Sequence, residues 1–484
     1  MAAASRGNCR RRVGDASPRR RPQGLASLPS SASTPCCATI RLLYREDNVK
    51  STLTLLVAAP AAVLLCGTPA AAQELSQAER AIVEYIDAHA EDAISLLERV
   101  VNINSGTMNF AGVREVGRVF ESELAALGFR TRWIPMDSAH RAGHLFAERR
   151  GGQGRRMLLI GHLDTVFEQD SPFQRFERLD ASVARGPGVS DMKGGDVVIV
   201  LALQALHAVG ALDQTSVIVA FTGDEEHPGD PVDYARQHLR EAALRSDIAL
   251  GFEGNVGGVG MATVARRGVT AWTLHVRGVP AHSSQIFRED LGSGAIFAAA
   301  RILNEFREEL AGEEYLTLNP GVIVGGTTAD LDMEQSRGSA FGKTNVIAET
   351  AIVSGDLRAL SDLQLQRAKN RMSHIVEDAL PHAEATIEFR ELYPPMEPYA
   401  ENYALMEILS QVNRALGYEE VAPLDPGLRG AADISFVAET VEAALAGLGV
   451  IGEDSHTVEE TVDLTSIPVM AKRAALLIFG LTRE

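Results

Sequence analysis

The chain has 484 residues, 45% apolar and 23% charged, enough for two domains and a large core. Its net charge is −18, unevenly spread: the first 72 residues hold ten Lys and Arg against three Asp and Glu, which leaves 36 basic and 61 acidic side chains after them, a net of −25. An acidic field of that size disfavours nucleic acid and anionic membranes as partners, and all four cysteines (Cys9, Cys36, Cys37, Cys66) precede residue 72, so a chain cut there has no disulfide, thiolate ligand or cysteine nucleophile.

Residues 1–48 carry Arg10-Arg11-Arg12 and Arg19-Arg20-Arg21 among Ser, Pro and Gly with no apolar period. They read as a disordered extension or as sequence upstream of the true start. Residues 49–72 read as a secretory signal: Lys50 as the positive flank, an apolar stretch from Leu53 to Leu65 broken by Pro60, then Ala70-Ala71-Ala72 where a signal peptidase would cut. The stretch is too short for an ordinary membrane span. A buried helix is the competing reading, and a lipid anchor at Cys66 is disfavoured by the large Leu65 before it. The expected location is periplasmic or secreted, after cleavage near Ala72.

From Leu75 onward helices alternate with apolar strands. Glu79 to Val101 is expected as one amphipathic helix. Met157 to Ile160, Ser216 to Phe221 and Asp247 to Phe252 are short apolar runs like those of buried parallel strands, and Asp196 to Ala208 is a helix between the first two. The alternation argues for an α/β sheet with helices on both faces, where ligands gather beyond the carboxyl ends of the strands.

Near Arg267 the pattern changes. Strand Thr270 to Val276, helix Leu291 to Phe306, strands Val322 to Gly325 and Asn345 to Arg358, helix Leu363 to Ala379 and strand Ala385 to Leu392 follow the β-α-β-β-α-β order of a ferredoxin-like unit, with Pro394-Pro395 at its exit. The polar stretch Ala329 to Gly342 is expected as a loop. Three segments result: 73–267, an inserted 268–394, and 395–484, which ends in a helix from Ser466 to Phe479. No internal repeat is visible.

Five positions carry chemistry: His162-Leu-Asp164, Asp191, Glu225-Glu226, Glu253 and His456. Two imidazoles and four or more carboxylates without cysteine are the ligand chemistry of two borderline divalent cations plus a spare carboxylate as base. His162, Glu225-Glu226 and Glu253 each follow an apolar run directly or within a few residues, where an α/β sheet collects ligands. Asp164 is placed to hold the second ring nitrogen of His162. Each position has a plain alternative: a structural His, an Asp N-cap at Asp191, a solvated acidic loop at 224–226, a surface His456. Three adjacent acids in Thr222-Gly-Asp-Glu225-Glu226 are electrostatically unfavourable unless cations or protons compensate. The glycines after Asp191 lack the Walker spacing of a phosphate loop.

Together GHLDTV, GVSDMKGG, TGDEE, the Glu253 strand end, GVPAHSS and GLGVIGEDSHTVEE resemble, in order and spacing, the M20 metallopeptidase family near its glutamate-carboxypeptidase branch, over roughly Glu79 to Thr482. The resemblance implies a zinc-peptidase-like mixed or parallel sheet flanked by helices, interrupted by a ferredoxin-like lid through which two copies dimerise. It implies two Zn2+ (or Co2+ or Mn2+), one held by His162, Asp191 and Glu253 and the other by Asp191, Glu226 and His456, with Asp191 bridging and Glu225 as general base. His282 in GVPAHSS resembles the histidine that stabilises the oxyanion, often across the dimer; Asn345 and Arg358 resemble lid residues that bind substrate, the arginine through a terminal carboxylate. The expected activity is hydrolysis of an amide next to a free carboxylate on a peptide or N-acyl amino acid, releasing a C-terminal residue such as glutamate. An aminoacylase or dipeptidase on the same scaffold is the alternative; a non-catalytic binding protein is a remote one, because every expected position is filled. The chain departs from the family in two places: Leu428-Arg-Gly-Ala-Ala-Asp-Ile is less glycine-rich than its counterpart, and His227-Pro-Gly-Asp-Pro replaces a small-residue run. Both put substrate specificity in doubt.

Overall fold

The computed structural model describes residues 74–332, 337–378 and 380–483. The N-terminal extension and the signal segment lie outside them. Five strands of a mixed sheet come from the first half of the chain: β1 (Arg130–Met136), β2 (Arg141–Arg149), β3 (Gln153–His162), β4 (Thr215–Thr222) and β5 (Ile248–Gly251). Their order is β1-β2-β4-β3-β5, with Ala443–Leu445 added at the far edge beside β5. The strand pairs β1–β2 and β2–β4 are antiparallel; β4, β3, β5 and Ala443–Leu445 run parallel.

Both faces of this sheet are covered, which is why its parallel strands read as unbroken apolar runs rather than alternating ones. Met157 and Leu159 of β3 join one core, while Leu158 and Ile160 join another with Leu239, Ile434 and Phe436. The first core is closed by the helices Lys193–Ala208 and Ser466–Leu481, buried over most of their surfaces. The carboxyl-terminal segment therefore rejoins the first domain. Because β3, β4 and β5 are parallel and in register, with His162 opposite Thr222 and Ile160 opposite Gly251, the residues that follow them emerge at one edge.

The segment 268–393 forms a second sheet of β6 (Gly268–Gly278), β7 (Thr317–Gly326), β8 (Thr350–Ala359) and β9 (Ala383–Tyr393), all antiparallel in the order β7-β8-β6-β9. Helices Gly294–Leu310 and Asp362–Glu377 pack on it around Trp272, Leu274, Ile302, Phe306 and Val353. The chain leaves the large sheet at Arg266 and returns at Met396, and the two crossings hydrogen-bond to each other at 2.9 Å in both directions.

Three local expectations change. The helix expected over 79–101 is two, Gln77–Ala88 and Ala90–Val101, broken at His89, whose ring stacks on Tyr85 and hydrogen-bonds its carbonyl oxygen at 2.8 Å. The stretch expected as a loop over 329–342 holds a two-stranded hairpin, Thr328–Asp332 with Arg337–Phe341. A helix at Phe110–Ala126 and strands β1 and β2 are additional to the elements expected. Among the described residues no helix is long and apolar enough to cross a membrane.

Candidate active site

The end of β3 delivers His162 into the interior, 1% exposed. Its Nδ1 faces the Asp164 carbonyl oxygen at 3.1 Å and Asp164 Oδ1 at 3.4 Å. A proton on Nδ1 leaves the Nε2 lone pair free, and among the described residues Nε2 is buried without a hydrogen-bond partner. Asp164 does more than orient this ring. Its carboxylate accepts from Glu225 N at 3.0 Å, Glu226 N at 3.1 Å and Thr107 Oγ1 at 2.7 Å, so one fully buried side chain fixes both the imidazole and the acidic turn after β4.

Asp191 lies on the turn that precedes the helix Lys193–Ala208. That helix starts close against the end of β5: a Cβ on Gly195 would lie 1.9 Å from the Phe252 carbonyl oxygen, so the second glycine of Lys193-Gly-Gly is needed for packing. His456 reaches the same place from far along the chain. Its loop joins Gly452–Glu453 to Thr461–Asp463, and Thr461–Asp463 pairs with Val183–Arg185, the strand that leads into the Asp191 turn. His456 itself has φ of 66°, a left-handed conformation that a non-glycine residue holds only when its surroundings fix it.

The result is a reciprocal arrangement around Asp191. Oδ1 is 3.4 Å from His162 Nε2, and Oδ2 is 3.2 Å from His456 Nε2. Glu253 Oε1 lies 3.7 Å from His162 Nε2, and Glu226 Oε2 lies 3.1 Å from His456 Nε2. Two donors that share one tetrahedral cation at about 2.0–2.2 Å stand roughly 3.4 Å apart. The donor spacings, the orphaned His162 Nε2 and the oxygen-and-nitrogen donor set thus fit a pair of divalent cations. His162, Asp191 and Glu226 offer ligand atoms within 4.8 Å of one another, as do His162, Glu225 and Glu253.

The electrostatics point the same way. Burial and the nearby Glu253 push the Glu225 carboxyl well above its usual range, and burial lifts Glu226 to about 7. His456 is pushed up to about 11 by Asp191 and Glu226. Burial opposes ionisation of both His162 and Asp191, but Asp164 and Asp191 hold the imidazole well above its ordinary value, and His162 and His456 hold the Asp191 carboxylate well below its own. Such opposed shifts mark carboxylates crowded around too little positive charge. Among the described residues the Glu225 carboxylate alone in this cluster has no hydrogen bond or ion pair within the chain.

The lid residues stand elsewhere. His282 and Asn345 are exposed neighbours: Ser283 N donates to the Asn345 carbonyl oxygen at 2.9 Å, and His282 Nδ1 meets Ser284 Oγ at 2.9 Å. Arg358 Nε donates to Asp356 Oδ2 at 2.8 Å. Among the described residues none of the three contacts the acid–histidine cluster of its own chain. Residues not singled out from the sequence do. Arg429 Nη2 lies 3.6 Å from Glu253 Oε2. The Tyr393 hydroxyl donates to the Glu225 carbonyl oxygen at 2.8 Å, and Arg236, fully buried, joins Asp224, Asp433 and Tyr393. The sequence signal for this network was the acidic crowding itself, since a buried arginine is the usual answer to buried acids.

A family model for Peptidase family M20/M25/M40 matches residues 158–479. The chain belongs to this family. It is a metallohydrolase of the peptidase and amidohydrolase kind. Carboxypeptidase G2 of Pseudomonas sp. (strain RS-16) is 24% identical over 394 residues, spanning 80% of this chain and 89% of that one. A succinyl-diaminopimelate desuccinylase of Methylocella silvestris is 30% identical over 204 residues, 40% of this chain and 51% of the relative. Among solved structures, aminopeptidase PepT from Bacillus cereus superposes with a TM-score of 0.65 at 17% identity, over 81% of this chain and 99% of its own. A dinuclear metal binding peptidase of the M20 family from Bacillus subtilis gives 0.59 at 17% identity, over 82% and 99%. These neighbours share the fold.

Proposed function

We propose that the protein is a dinuclear metal-dependent hydrolase that cuts an amide next to a free carboxylate, releasing a C-terminal amino acid such as glutamate. The observation that carries this reading is the division of Asp191, one carboxylate oxygen toward His162 and the other toward His456, each at 3.2–3.4 Å. His162, Asp191 and Glu253 would hold one cation and Asp191, Glu226 and His456 the other, as Zn2+, Co2+ or Mn2+. Bound there, the cations supply Lewis-acid polarisation of the amide carbonyl and a more acidic water. Glu225, unpaired among the described residues and half-buried in a turn held by Asp164 and Tyr393, takes a proton from the attacking water and later hands it to the leaving nitrogen.

The lid carries the substrate contacts. Arg358, at the end of β8, would engage the free carboxylate once released from Asp356, with Asn345 beside it. The exposed position of His282 supports its service to a second subunit's site. Ile296, Phe297, Ile323 and Phe341, 48–62% exposed on the lid, support a homodimer formed there. Export to the periplasm or beyond rests on the segment 49–72 alone.

The test is release of free amino acid by the zinc-loaded protein from N-acyl-glutamates, other N-acyl amino acids and dipeptides, with and without chelator. Chelator-sensitive release from N-acyl-glutamates supports the carboxypeptidase reading. Preference for short N-acyl groups or for dipeptides would move it to an aminoacylase or a dipeptidase. No release from any of them with both cations bound would sink it.

A further inference from the structure

Glu460 lies four residues beyond His456 and is 0% exposed. Its Oε1 accepts from Ser190 N at 2.9 Å, Ser190 Oγ at 3.0 Å and Asp191 N at 3.0 Å, and its Oε2 accepts from Gly188 N at 3.1 Å. The same residue's carbonyl oxygen accepts from Gly186 N at 3.3 Å. Among the described residues no Lys, Arg or His lies within ion-pair distance of the carboxylate. Lys193, a buried cation two residues after Asp191, directs its Nζ to the carbonyl oxygens of Val100 and Ile103, both at 3.1 Å. A buried carboxylate without a cation is costly unless its hydrogen bonds do something for the fold or the site. Here all four donors belong to one turn, the one that ends on Asp191. A second tie, between Ser190 Oγ and Ser455 Oγ at 3.3 Å, joins that turn to the residue before His456.

We infer that Glu460 is a positioning residue for the cation site: it locks the Asp191 turn to the His456 loop, so that the Asp191 carboxylate is shared between the two imidazoles. The inference rests on the dinuclear reading above. The geometry explains why the lock comes from this loop. The backbone pairing of Val183–Arg185 with Thr461–Asp463 ends before either ligand is reached, and both ligands sit on turns beyond it. Without a side-chain bridge nothing in the ladder fixes the separation of Asp191 and His456. Glu460 supplies the bridge at the last point before the two turns diverge, and it grips Asp191 by its own amide.

The experiment is calorimetric titration of the metal-free full chain with Zn2+, for the wild type, Glu460→Gln and His456→Ala. The glutamine keeps the volume but turns an amide N–H toward donors. His456→Ala identifies which of two binding events uses the His456 donor. Glu460→Gln is expected to weaken that event by roughly 10- to 100-fold, the usual loss when the group that orients a ligand is removed. Ser190→Ala, which deletes the hydroxyl's two ties, to Glu460 and to Ser455, is expected to weaken it by roughly fivefold, and it serves if Glu460→Gln does not fold. A wild type that binds two cations, with Glu460→Gln and Ser190→Ala binding as the wild type does, overturns the inference alone; so does a Glu460→Gln with a lowered melting temperature and unchanged affinities, which is a purely structural role. A wild type that binds fewer than two cations overturns the dinuclear reading itself.

Discussion

Glu225 and Glu226 are adjacent in sequence yet have different neighbours, and that difference divides their work. Glu226 Oε2 is 3.1 Å from His456 Nε2, a ligand's position. Glu225 is half-buried, its carboxylate has no partner among the described residues, and its backbone is held from both sides, its N–H by Asp164 and its carbonyl by Tyr393. Burial, together with Glu253, favours its protonated form, which suits a group that must both take and return a proton. Glu225→Gln keeps the shape and removes the proton shuttle. It is expected to lower kcat by about 10²- to 10⁴-fold while metal content, measured by atomic emission, stays at the wild-type level. Wild-type turnover in this variant would assign the base to another residue. The acid–histidine cluster was readable from the sequence because imidazoles and carboxylates at strand ends have few other uses in combination. Glu460 was not, since the burial that separates it from the exposed Glu459 beside it is a property of the folded turn.

At the scale of elements, one residue of the second sheet reaches the turn after β4. Tyr393 ends β9, the last strand of the lid, and its hydroxyl bonds the Glu225 carbonyl while accepting from Arg236 Nη2 at 3.2 Å. Its ring packs on Phe436, with centroids 4.9 Å apart, and that contact survives Tyr393→Phe. The variant loses only the hydroxyl, so the expected result is a kcat lower by roughly five- to tenfold, the worth of one well-made hydrogen bond, with KM and metal content unchanged. Steady-state kinetics beside a metal assay decides it; an unchanged kcat removes Tyr393 from the site. The elements that escaped the sequence reading did so for physical reasons. The hairpin Thr328–Phe341 is exposed or half-exposed along its described length, so no buried face writes an apolar pattern. Strand β1 contains Pro135 and alternates with arginines, as an edge strand can. The helix Phe110–Ala126 did carry a stripe in Val113, Val116, Phe120 and Leu124, but Gly112 and Gly117 dilute its helix propensity; Gly117 is there because a Cβ would lie 2.4 Å from the Trp133 ring.

At the scale of the molecule, each chain holds the acid–histidine cluster at the large sheet and His282 and Asn345 in the inserted segment, which the chain enters near Arg266 and leaves near Met396. If His282 serves the site of a second copy, two defective chains repair each other. Mixing Glu225→Gln with His282→Ala, each nearly inactive alone, and letting subunits exchange should restore roughly a quarter of wild-type activity, because half the dimers pair one intact base with one intact lid histidine. No recovery under conditions where light scattering shows mixed dimers would place the lid histidine in its own chain's site or outside the chemistry. The fold class and the insertion were legible as a switch from buried runs to alternating strands, whereas any contact between copies of a chain leaves no periodic mark in its sequence. The two imidazoles also differ in reach: the His162 side chain is 1% exposed and that of His456 55%. A cation between Asp191, Glu226 and His456 would trade places with ions in the medium far faster than its inner neighbour. The pair would then carry two histories, one ion kept from assembly and the other renewed from whatever solution the protein last met.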